Sequence, residues 1–107
     1  MSLPVLRTLA ELTTWRSATR RSIHFVPTMG ALHLGHAHLI ERAGQFGIGP
    51  VDVLVSVYVN PLQFGPGEDF VDYPRDLEAD VHLAASAGAA AVWCPDDRQI
   101  YPGGVAE

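Results

Sequence analysis

The nine residues "VDVLVSVYV", Val51 to Val59, constrain this chain more than any other stretch. They are mostly β-branched, and after Asp52 they are apolar on both faces, which is the pattern of a strand buried inside a parallel sheet. Parallel strands need long crossover connections, usually helical. The flanking sequence supplies them. "TLAEL" reads as a helix start, with Thr8 able to cap orphan amides and Glu11 able to reach back in a capping box. Leu9, Leu12 and Trp15 give that helix a partial apolar stripe. "SIHFVPT", Ser22 to Thr28, reads as a first strand, closed by a proline that cannot donate to a ladder. A second helix is expected from near Gly35, with Leu39, Ile40, Ala43 and Phe46 on one face and "GIGP" as its breaker. A third is expected from about Asp76, its cap, with Leu77, Val81, Ala84 and Ala85 facing inward. "AAAVWCP" follows as a short third strand.

This alternation predicts an α/β fold: a Rossmann-like parallel sheet with right-handed crossovers and helices on both faces. At 107 residues the chain is one domain, residues 1–107, with no repeat or linker. Ligands of such sheets bind beyond the carboxyl ends of the strands. Two unusual segments are expected there, "PTMGALHLGH" and "NPLQFGPGEDF".

Composition narrows the chemistry. The seven cations are scattered arginines and the net charge is −5, which disfavours nucleic acid as a partner. There is no lysine, so a lysine-bearing phosphate loop and a lysine Schiff base are excluded. Cys94 is the single cysteine, which excludes an internal disulfide and a cysteine zinc quartet and fits a reducing, cytoplasmic setting. No apolar run approaches the roughly 18 residues of a membrane span, so no membrane partner is expected.

Gly30 and Gly35 remove side chains on either side of a strand-to-helix turn, where a ligand could approach the backbone and meet free amides at a helix start. His33 and His36 stand three apart at that turn and can donate to phosphate oxygens. Two readings of the pair stand side by side: phosphate donors, or one histidine capping the helix while the other packs. A metal pair is disfavoured for want of a third ligand. His24, His38 and His82 lie away from the glycine turn and read as structural or surface residues. Asn60 and Gln63 flank Pro61 at the end of the best strand. Their carboxamides suit a substrate carboxylate or hydroxyl, or else an Asx turn and a solvent-facing side chain. The acids from Glu68 to Asp80 read mostly as a solvated face, though their number suggests magnesium.

Three strings, "VPTMGALHLGH", "VSVYVNPLQFGPGEDFVDYPRDLEAD" and "IYPGG", together resemble the pantothenate synthetase (pantoate–beta-alanine ligase) family across Ile23 to Gly103. "HLGH" is similar to the HIGH signature of nucleotidyl-transferring enzymes. The resemblance implies the first half of a HIGH-type fold, with the remaining half and a carboxyl-terminal domain beyond these residues. It implies ATP, Mg2+, pantoate and beta-alanine as ligands, a pantoyl adenylate intermediate, and a homodimer in the full-length enzyme. His33 and His36 would be the catalytic pair. Pro27, Thr28, Met29, Gly30 and Gly35 would join them at ATP, Met29 and Gln63 would hold pantoate, and Asp80 would serve the metal. The isolated 107 residues are expected to be inactive, since the family's phosphate-binding lysine is missing. A non-catalytic nucleotide- or pantoate-binding half-domain, or another nucleotidyltransferase, is the alternative.

Overall fold

The computed structural model describes residues 3–104. Four parallel strands, β1 (Val5–Leu6), β2 (Ser22–Thr28), β3 (Val51–Val57) and β4 (Ala91–Trp93), form one sheet in the order β1-β4-β3-β2. The helices are α1 (Leu9–Ala18), α2 (Leu34–Gln45), α3 (Leu77–Ser86) and the short α4 (Asp97–Ile100). β1 escaped the sequence reading for a simple reason: two residues carry no periodicity. They pair with β4, Val5 beside Val92 and Leu6 beside Trp93.

Alternation along β3 sorts the two layers. Val53, Val55 and Val57 point to the face covered by α2 and α3, where Ile40, Ala84, Ala87 and Val92 complete the larger core. Leu54 points the other way, to Leu6, Ala91 and Trp93, with Leu12 and Trp15 of α1 against them. Helices therefore cover both faces, as the continuous apolar run of β3 requires. Coverage is unequal, because α1 buries none of its own residues. Its start follows the expectation: Thr8 accepts from the Glu11 amide, and the Glu11 carboxylate accepts from Thr8.

Two expected helix faces need correction. On α2, Ile40 is buried, but Leu39 and Phe46 are 59% and 62% exposed. Leu39 lies one residue, about 100° of helix, away from Ile40, and Phe46 is an extended cap beyond the last turn. The stripe that meets the sheet is Ala37, Ile40, Ala43 and Gly44, where a Cβ would stand 3.6 Å from Val53. On α3, Ala84 is buried and Ala85 is exposed for the same angular reason. The inward position that the apolar pattern omits is Asp80, only 4% exposed.

β2 lies at the sheet's edge. The Thr28 carbonyl accepts from the Tyr58 amide, so Thr28 faces β3 and its neighbour Pro27 faces the open side, where a missing N–H breaks no bond. His24 is structural, its ring Nδ1 lying 2.7 Å from the Ala43 carbonyl and tying β2 to α2. His38 is an exposed partner of Glu41 at 3.6 Å, and His82 is exposed.

Candidate active site

The loop from Met29 to His33 joins β2 to α2 at the carboxyl end of the sheet. It turns through two left-handed residues, Gly30 at φ +83° and Ala31 at φ +53°. An alanine rarely adopts this conformation, and something must hold it there. Asp80 does so from α3: its two carboxylate oxygens accept the amides of Ala31 at 3.1 Å and Leu32 at 2.8 Å. Gly30 makes that approach possible. A Cβ there would stand 2.9 Å from Asp80 Oδ2 and 3.1 Å from Val57 Cγ1, and the backbone conformation would be strained as well.

The histidines complete the turn. The His33 ring accepts the Gly35 amide on Nδ1 at 3.0 Å, and the His36 ring accepts the His33 amide on Nδ1 at 3.1 Å. Gly35 is required for this cap, because a Cβ would lie 2.7 Å from the His33 ring. Both imidazoles thus take part in capping, and the cap assigns their chemistry. A neutral ring that accepts on Nδ1 carries its proton on Nε2, so each histidine presents Nε2–H as a donor. The two rings stand 4.2 Å apart, centroid to centroid, at 55°. Burial, followed by the charge of His33, holds His36 below its ordinary pKa, while Asp80 opposes the shift.

The expectation of free amides at this turn holds only in part. Gly30 donates to Thr28 Oγ1, and the amides of Ala31, Leu32, His33 and Gly35 each have an acceptor within the chain. An anion is left with the Leu34 amide, which has no acceptor among the described residues, the imidazole Nε2–H groups and the helix dipole.

The second unusual segment closes over the same end of the sheet. Asn60 caps a short 3-10 turn, Pro61–Gln63, by accepting the Leu62 amide at 3.0 Å, so its Asx reading holds. Pro27, Thr28, Met29, Gly30, His36 and Gln63 line one cavity of about 500 Å3, together with Asn60, Tyr58 and Tyr73. His33 and Gly35 lie outside this lining. A neighbouring cavity of about 410 Å3 shares Met29, Gly30 and Tyr58, and continues past Asp80 to Cys94 and Asp97. Cys94 is half-buried, and burial raises its thiol pKa.

Sequence reasoning missed Tyr58, Tyr73 and Arg75. Tyr58 donates to Asp97 Oδ1 at 2.7 Å, and its pKa is raised, chiefly by burial and then by that bond. Arg75 staples the second loop, donating to the carbonyls of Phe70, Val71 and Tyr73 while lying 5.0 Å from the centre of the Phe70 ring. The available signal was "DYPRD", where an arginine among turn residues suggests a carbonyl staple. Asp80 sits beneath the first loop. Both of its oxygens hold loop amides, and among the described residues no three His, Cys, Asp or Glu side chains converge as metal ligands.

The profile of the pantoate-beta-alanine ligase family matches residues 4–107. A bifunctional pantoate ligase/cytidylate kinase from Synechococcus sp. (strain CC9311) is 65% identical over 85 residues, covering 79% of this chain and 17% of that protein. The pantothenate synthetase crystal structure from Thermus thermophilus superposes with a TM-score of 0.83 at 48% identity, over 98% of this chain and 36% of that one. A pantoate-beta-alanine ligase from Francisella tularensis, complexed with beta-gamma ATP and beta-alanine, gives 0.85 at 34% identity, over 96% and 39%. The chain thus spans well under half the length of these relatives. Within that span the HIGH-type nucleotidyltransferase-like sheet is shared, and the chain belongs to the pantoate-beta-alanine ligase family.

Proposed function

We propose that this chain supplies the pantoate- and ATP-binding half of an AMP-forming ligase that joins pantoate to beta-alanine. The observation that carries the reading is the single cavity in which His36 and Met29 of the first loop meet Gln63 of the second. In the reaction a pantoate carboxylate oxygen attacks the α-phosphorus of ATP, and the bond to pyrophosphate breaks. The beta-alanine amine then attacks the acyl carbon and AMP leaves. No protein nucleophile is needed; the chain's task is to orient the reactants and stabilise charge.

The Nε2–H groups of His33 and His36 act as preorganised donors to phosphate oxygens. Pro27, Thr28, Met29 and Gly30 form the floor of the nucleotide and pantoate pocket. Gly35 serves ATP indirectly, by admitting the His33 ring to its cap. Gln63 and Asn60 offer carboxamides to the pantoate oxygens. Both Asp80 oxygens are taken by loop amides, so magnesium belongs to this reading as part of the ATP substrate. A homodimer and a cytoplasmic setting complete it, supported by the family resemblance and the single cysteine.

Calorimetry on the 107-residue chain tests the binding: ATP with magnesium and pantoate should each bind saturably, and Gln63→Ala should abolish the pantoate heat. A chain that binds neither sinks the proposal. The second reading is binding without turnover. AMP release dependent on beta-alanine would decide against it.

A further inference from the structure

Tyr101 follows α4 and reaches back across the carboxyl end of the sheet to Asn60. Its hydroxyl lies 2.9 Å from Asn60 Oδ1, the same atom that accepts the Leu62 amide at 3.0 Å. A backbone N–H can only donate, so the Asn60 atom facing Leu62 is the oxygen. That oxygen has no proton to give, and the Tyr101 hydroxyl is therefore the donor. With two donors on Oδ1, a flipped carboxamide would set its NH2 against both of them. The Asn60 NH2 has no acceptor among the described residues, and Asn60 lines the cavity beside Gln63.

From this geometry we infer that Tyr101 is a positioning residue for the acyl-substrate side of the site. Its hydroxyl locks Asn60 as a hydrogen-bond donor and fixes the turn that carries Gln63. The group such a donor suits is an oxygen-rich one, a carboxylate or a hydroxyl, which under the proposed function is pantoate. The inference rests on that reading for the ligand's identity. It stands on geometry alone for what Tyr101 does to Asn60.

Tyr101→Phe removes one oxygen and keeps the ring. In the 107-residue chain the unfolding midpoint should stay near wild type while the Asn60 side-chain NH2 resonances shift. Pantoate affinity should fall about three- to tenfold, the worth of one hydrogen bond, with ATP affinity unchanged. In an Asn60→Ala background the same change should add no further loss, because Tyr101 acts through Asn60. Unshifted NH2 resonances, equal weakening of both ligands, or additive losses would overturn the inference. A wild-type chain that binds ATP but no pantoate would overturn the functional reading instead, and the NH2 resonances would still decide whether Tyr101 fixes Asn60.

Discussion

The two loops at the carboxyl end of the sheet are built by opposite means. The first, Met29 to His33, is fastened from beneath by a buried carboxylate 48 and 49 residues away in sequence, and from its far end by two histidine caps. The second, from Asn60 to Arg75, is held mostly by its own residues: an Asx cap, an arginine on three carbonyls, and Phe64 packed edge-on against Phe70 and Tyr73 at 5.3 and 5.8 Å. Most of its positions from Leu62 to Arg75 are exposed. A loop fastened to the core has one geometry as long as the fold stands. A loop fastened to itself can shift as a unit, which suits a segment that receives a substrate.

The sharpest way to break this contrast is Asp80→Ala. It leaves two part-buried amides without an acceptor and two left-handed residues without support, and should cost about 2–4 kcal/mol in chemical denaturation. Gly30→Ala should destabilise comparably, since its Cβ meets the same carboxylate at 2.9 Å. If Asp80→Ala lost under about 0.5 kcal/mol, the first loop would not be anchored to the core at all.

Next in size is the separation of capping from phosphate binding. Asparagine caps a helix but has no Nε2–H, so His33→Asn should keep nearly all stability while weakening ATP binding about tenfold or more. His33→Ala should lose both. Equal ATP affinity in His33→Asn and wild type, measured by calorimetry, would show that the histidine is only a cap.

Arg75→Ala sharpens the other side. Because the staple is local and exposed, stability should fall by no more than about 1 kcal/mol. Pantoate binding should nevertheless weaken several-fold, with proteolysis between Phe64 and Tyr73 accelerated. A loss as large as that of Asp80→Ala would erase the distinction between the loops.

The smallest expected effect is a pH dependence. His36 has a folded pKa below its ordinary 6.5, so the unfolded chain takes up the proton first as pH falls. Its contribution to stability is complete above about pH 6.5 and declines as pH drops towards the lowered folded value. His36→Gln should therefore show a flatter stability profile than wild type between pH 7 and pH 5. Parallel profiles would mean that the ring's cap is not sensitive to protonation.

The contrast also explains what the sequence disclosed. Much that local chemistry governs could be read in advance: the Thr8 and Asp76 caps, the Asx turn at Asn60, the glycine turn, and β3 as a buried parallel strand. What the sequence hid was mostly long-range. Asp80 sits in an acidic run, and only its helical spacing from Leu77 and Ala84 sets it apart from its solvated neighbours. Only the packing of α3 under the first loop makes it a partner of Ala31 and Leu32. Tyr101 and Asn60 are separated by 41 residues, and β1 is too short to announce itself. The histidine pair was legible as a motif but not in its wiring, because capping by an imidazole leaves no compositional trace beyond the glycine that admits the ring.

Pro27 carries a final consequence, for whatever meets the open side of β2. Thr28 bonds to β3, so by alternation the groups on the free side belong to Ile23, Phe25 and Pro27. These offer carbonyls at all three positions but amide hydrogens at only two. A strand laid along this margin could be gripped in both directions beside Ile23 and Phe25, whereas at Pro27 it could only give a proton and never receive one. The margin is thus directional, firm at its start and slack where it reaches the first loop. The proline works as a punctuation mark that weakens any added ladder before it runs across the mouth of the cavity.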